Sequence, residues 1–65
     1  MNDDYWTVQA MKEFGGSFVK ALADAFFSAD DHNRHLIKET WPGPWEHYLR
    51  LGQQLKRKDE AKEQA

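Results

Sequence analysis

Apolar residues recur along this chain at spacings of three and four, the period of a helix seen from one side. Residues 17–29 carry the pattern best. Phe18, Leu22, Ala25, Phe26 and Ala29 form one stripe, and Val19, Ala23 and Phe27 widen it. That face is broader than a surface helix needs, and no Gly or Pro interrupts it, so the pattern predicts a central helix. Ala21, Ala23, Ala25 and Ala29 are small enough for a neighbouring helix to come close. Upstream, Trp6, Val8, Met11 and Phe14 favour one face of a helix over residues 5–13, with Tyr5 beside it. Asp3 or Asp4 is placed to cap its first turn and to complement its dipole. Gly15-Gly16 separates the two segments. Two adjacent glycines cost about 2 kcal/mol inside a helix, which predicts a positive-φ turn or a close backbone contact. Ser17 then stands as the N-cap of the next helix.

Residues 31–40 are polar except for Leu36 and Ile37, as in a helix lying on the surface. Asp30-Asp31 either ends the preceding helix or caps this one. Trp41-Pro42-Gly43-Pro44-Trp45 then breaks the chain direction. Pro44 suits the first position of a last helix, where its missing N–H is not needed. Trp45, Tyr48, Leu49 and Gly52 share one side of that helix, with Leu51 and Leu55 adjoining. Beyond Leu55 no apolar residue larger than alanine appears. Residues 1–55 therefore read as a single helical domain and residues 56–65 as a charged, solvated tail that extends the last helix and frays. Val, Ile and Thr are too few for a sheet. The predicted fold is all-α, three or four short helices in a small bundle around Phe14, Phe18, Leu22, Phe26, Leu36, Trp41, Trp45 and Leu49.

Composition adds a constraint on stability. A chain of 65 residues with no cysteine has a marginal core and no disulfide or thiolate metal site to reinforce it. Association with further copies of itself is the expected remedy, so the bundle is read as a homo-oligomer. The absence of cysteine fits a reducing compartment. The acidic start Met1-Asn2-Asp3-Asp4 is followed by no long apolar run, which predicts neither a secretory signal nor a membrane span. The expected location is the cytoplasm. Charge is unevenly spread: residues 1–55 hold five basic and eight acidic side chains, a balance of −3, against +1 for residues 56–65. An acidic body disfavours general nucleic-acid binding, whose affinity comes from neutralising phosphates.

Candidate chemistry is sparse. His32, His35 and Glu39 share a helical face, but two imidazoles and one carboxylate at this spacing more simply make a hydrated polar face with a His35–Glu39 pair. No metal site and no cofactor are assigned. No cysteine nucleophile exists, and Ser17 and Ser28 have no local base, so no enzyme is expected. Lys56-Arg57-Lys58 complements a helix C-terminus, and the acids that follow weaken it as a nucleic-acid footprint. Trp41, Trp45 and Tyr48 form the stronger signal, read either as core or as a stacking platform for a planar ligand or a protein. Gly16 and Ser17 at a helix N-terminus offer backbone N–H groups to a phosphate, with Lys12 and Lys20 as the local cations. Those seven residues are the candidate ligand-binding set.

The run Met11-Lys12-Glu13-Phe14-Gly15-Gly16-Ser17-Phe18-Val19-Lys20-Ala21-Leu22-Ala23 carries a resemblance, together with Ala29-Asp30-x-x-Asn33 and Trp41-Pro42-x-x-Trp45-x-x-Tyr48. Over residues 5–50 the chain resembles a group of very short, mostly uncharacterised all-α accessory proteins of tailed bacteriophages and prophages. The resemblance implies a non-catalytic accessory protein working in the host cytoplasm, with counter-defence as its task. Such proteins either sequester a cyclic nucleotide immune signal or bind and block a host protein. Sequestration of a cyclic nucleotide is the first expectation, a protein–protein inhibitor or host-interaction module the alternative, and a small DNA-binding factor the third. The resemblance carries over no ligand-binding residue, and a dianionic ligand would need Lys or Arg gathered locally in this acidic body.

Overall fold

A computed structural model describes the backbone of residues 3–64 and the side chains of residues 3–62. Met1, Asn2 and the side chains at the end of the charged tail lie outside the described residues. Four helices follow one another: α1 (Asp3–Phe14), α2 (Ser17–Ser28), α3 (Asp31–Thr40) and α4 (Pro42–Gln64). There is no strand among the described residues. The 23 residues of α4 span about 34 Å and account for most of the 38 Å long dimension of the molecule. The charged tail continues α4, and residues 57–62 are exposed.

Local chemistry sets the helix ends. At the α2–α3 corner the Asp30 carboxylate accepts a hydrogen bond from the Asn33 N–H at 2.8 Å, satisfying a first-turn donor that the helix itself cannot. The last carbonyls of α2 receive an outside donor. Arg34 Nε donates to the Phe26 carbonyl at 3.0 Å and Arg34 Nη2 to that of Phe27 at 3.2 Å. Only Trp41 stands between α3 and α4. Its N–H donates to the Ile37 carbonyl and its own carbonyl accepts from the Trp45 N–H, each at 3.1 Å. Trp41 is thus the C-cap of one helix and the N-cap of the next. Pro42, and not Pro44, takes the first position of α4. Both prolines fall in the first turn, where backbone N–H groups have no intrahelical partner in any case.

The core departs from the expected arrangement. α1, and not α2, is the central helix: it packs most extensively against α4 and next against α2. Thr7, Ala10 and Met11 are all 0% exposed. The Thr7 hydroxyl donates to the Asp3 carbonyl at 2.7 Å, so its burial leaves no polar group unpaired. Val8, Met11, Leu22, Ala23 and Phe26 form the buried cluster, with Val19, Ile37, Trp45 and Tyr48 packed against its edge. On α2 the inward stripe is therefore Val19, Leu22, Ala23 and Phe26, rotated by about one residue from the expected one. Ala23 is fully buried, and its small side chain lets α2 seat closely on α1. With this rotation Phe18 and Ala25 turn outward. Of the expected core, Leu22 and Phe26 are buried and Trp45 and Leu49 half-buried, while Phe14, Phe18, Leu36 and Trp41 are exposed.

The glycine pair makes the α1–α2 turn without any positive φ. Gly16 is extended (φ −77°, ψ −171°) and is itself the N-cap of α2, with no side-chain cap. Ser17 is the first helical residue and not the cap. The two glycines differ in surroundings. A Cβ on Gly15 would lie 2.4 Å from Val19 Cγ1 and 2.5 Å from the Met11 carbonyl oxygen, whereas a Cβ on Gly16 meets nothing within 4 Å. Gly15→Ala is expected to destabilise the fold by about 1–3 kcal/mol. Gly16→Asp is expected to gain a few tenths of a kcal/mol as a better cap. Urea denaturation of the two variants checks both signs, and equal destabilisation by both would contradict this account of the turn.

Candidate functional site

The aromatic residues around the α3–α4 corner divide between interior and surface. Trp45 faces inward, its ring 4.7 Å from that of Phe26. Tyr48 packs at the core edge and meets His47 edge-on, with ring centroids 4.8 Å apart. Trp41 lies outside, 36% exposed. Its ring meets the exposed ring of Phe18 edge-on at 5.8 Å. Trp41 and Phe18 form an external aromatic pair next to the start of α2, so Trp41 is brought near Gly16 and Ser17. Trp45 and Tyr48 do not join that surface. Lys20 is exposed on the second turn of α2.

Lys12 takes a different place. Its ammonium stands 5.4 Å from the centre of the Phe27 ring, near the end of α2 opposite to Gly16. Phe27 is 70% exposed. It forms a wall of a cleft of about 180 Å³ between α1, α2 and α3, whose lining includes Tyr5, Val8, Gln9, Phe26 and Arg34. Phe26 and Val8 contribute buried apolar surface, and Tyr5 and Phe27 expose their rings at the edge. The Arg34 guanidinium carbon lies 5.1 Å from the Phe26 ring centre. Lys38 stands behind this wall, 5.8 Å from the Phe26 ring and 5.2 Å from the Trp45 ring. Its ammonium pairs with Asp4 at 2.9 Å, tying α3 to the start of α1 in a half-buried setting.

Sequence reading missed Tyr5, Phe27 and Arg34 as a group. In the sequence pattern Phe27 belongs to the widened apolar stripe of α2. Nothing in a polar helix marks one arginine as the group that caps its neighbour and lines a cleft. The remaining candidates are simpler. His35 Nε2 lies 2.8 Å from Glu39 in an exposed i,i+4 pair. Among the described residues, no three His, Cys, Asp or Glu side chains are close enough together to hold a metal ion. No helix among them is long and apolar enough to cross a membrane.

Comparison of the chain with protein-family models, with curated proteins and with solved structures finds no match.

Proposed function

We propose that this chain is a non-catalytic protein-interaction module, a phage accessory protein that engages a host protein through its external aromatic side chains. One observation carries the reading. Tyr5, Phe14, Phe18, Phe27, Leu36 and Trp41 are all exposed, while the buried core holds only Val8, Ala10, Met11, Leu22, Ala23 and Phe26. Six large apolar side chains thus stand at the surface of a chain whose buried core is small, and large apolar groups exposed together mark an interaction surface. Exposed aromatic residues that serve no core are the usual anchors of protein interfaces. Self-association through part of this surface accompanies the reading. Light scattering at micromolar concentration is expected to give a mass above the 7.7 kDa of one chain, and a well-folded monomer would sink that part.

Cyclic nucleotide sequestration is the second reading, favoured by the Phe18–Trp41 pair beside the N-terminus of α2, which has no side-chain cap. A base stacked on Trp41 would leave its phosphate close to backbone N–H groups. Host-lysate capture with wild-type protein and Trp41→Ser, run beside calorimetry with cyclic di- and trinucleotides, separates the two. The first reading expects one stoichiometric host protein that Trp41→Ser loses and no nucleotide binding. Submicromolar binding of a nucleotide, weakened by roughly one to two orders of magnitude in Trp41→Ala, would replace it with the second.

A further inference from the structure

We infer that the cleft between α1, α2 and α3 is a second docking site, one that takes a single large apolar side chain presented by an acidic segment of a partner protein. The inference rests on reading the chain as a protein-binding module, but it concerns a different surface. Phe27 and Phe18 are nine residues apart on α2, about 13 Å along its axis.

The size of the cleft defines the anchor. A cavity of roughly 150 Å³ accepts a benzene-sized group, and this cleft measures about 180 Å³. It has room for one aromatic ring or one branched aliphatic side chain. Val8 and Phe26 provide an apolar floor, and the rings of Tyr5 and Phe27 stand at its edge. A buried anchor ringed by partly exposed aromatic groups is the geometry in which interface residues contribute most.

Charge defines what surrounds the anchor. Residues 1–55 contain only five basic side chains, Lys12, Lys20, Arg34, Lys38 and Arg50, against eight acids. Three of these five, Lys12, Arg34 and Lys38, lie against the Phe26 or Phe27 ring. The one carboxylate in the cleft lining, Asp4, is paired with Lys38. Lys12 and Arg34 make no ion pair among the described residues. Arg34 uses its Nε and one Nη on the α2 carbonyls, and the rest of its N–H fork keeps its capacity to donate. With Lys38 offset by Asp4, two cations remain beside the cleft: Arg34 in its lining and Lys12 over the exposed Phe27 ring at its edge. Because the cleft is filled by one ring-sized group, the complementary negative charge has to come from residues flanking the anchor on the partner chain.

A displayed random-peptide library, selected on the full-length protein, tests this. Retained peptides are expected to carry one Phe, Trp or Leu with Asp or Glu on both sides. Titration of the best of them, followed by amide chemical shifts, is expected to move resonances of α1, the end of α2 and the start of α3. Phe27→Ser and Lys12→Glu alter exposed side chains, so circular dichroism should remain unchanged. Each should weaken the selected peptide about tenfold or more, and raised salt should weaken it further. No enrichment, enrichment without acidic bias, or binding by both variants as tight as by the wild type would overturn the inference. Peptides insensitive to Phe27→Ser but lost with Trp41→Ser overturn it too, while leaving the protein-binding reading of the Phe18–Trp41 pair intact. A shift in oligomer mass caused by Phe27→Ser alone would assign the cleft to a second copy of this chain and likewise refute it.

Discussion

Gly52→Ala is expected to remove a large share of the stability of the fold. Alanine at a mid-helix glycine ordinarily stabilises by up to about 1 kcal/mol through helix propensity. Here space reverses the sign. A Cβ on Gly52 would lie 2.6 Å from the carbonyl carbon and oxygen of Trp6 and 2.8 Å from the Thr7 nitrogen. All three are backbone atoms of the central helix, so no rotamer change relieves the overlap. Either α4 moves off α1 or the bundle opens. Overpacking of this kind costs about 3 kcal/mol at the upper end of its usual range, against a total of roughly 3–10 kcal/mol for a chain of this length. Melting followed by circular dichroism should fall by roughly 12–24 °C. Gly43→Ala provides the control, since nothing lies within 4 Å of its added Cβ. A Gly52→Ala protein melting within a few degrees of wild type would mean that α1 and α4 are not in such close contact.

That contact also explains what the sequence revealed and what it concealed. Helix ends are decided mostly by neighbours in the chain, and they were legible to within a residue or two: α2 takes Gly16 and not Ser17 as its cap, and α4 begins at Pro42 and not Pro44. Asp30 caps α3 through the Asn33 N–H, the prolines begin α4, and residues 31–40 form α3 as their polarity suggested. The centre of the bundle was not legible, because it is built from residues without a strong apolar signature. Thr7, Ala10 and Gly52 are buried for their smallness, which lets two backbones meet. Hydrophobicity alone places the bulky Phe14, Phe18, Leu36 and Trp41 inside, yet all four are exposed. The close α1–α4 contact and the cluster of Val8, Met11, Leu22, Ala23 and Phe26 fill the interior without them.

The candidate sites were legible to different degrees for a related reason. Trp41 could be located at a helix break from the prolines that follow it, but its exposure and the inward turn of Trp45 could not be read from the sequence. The cleft was hidden because its parts are far apart in the chain. Lys38 and Asp4 are separated by 34 positions, and Arg34 reaches across the corner from α3 to the last carbonyls of α2. The acidic balance of residues 1–55 argued against an anion-binding surface when taken as an average. Folding places three of its five cations against two adjacent phenylalanines, and an average over sequence cannot register that.

Phe26→Ala is expected to be the most damaging side-chain truncation. Phe26 is 2% exposed and is the ring on which the other elements converge. Trp45 of α4 stacks on it at 4.7 Å, and Arg34 and Lys38 of α3 stand over it at 5.1 and 5.8 Å. Truncation of a buried phenylalanine costs about 3–5 kcal/mol, again comparable to the whole stability of a domain this small. The adjacent Phe27→Ala makes the comparison sharp, because that ring is exposed and its loss should change stability by no more than about 0.5 kcal/mol. A double-mutant cycle between Phe26 and Trp45 is expected to show a coupling of about 0.5–1.5 kcal/mol, the range for paired rings. Urea denaturation supplies all of these values. If Phe26→Ala and Phe27→Ala prove equally mild, α2 presents some other face to α1. Phe26 then cannot be the floor of the cleft, and the docking site argued from it would fall with the packing.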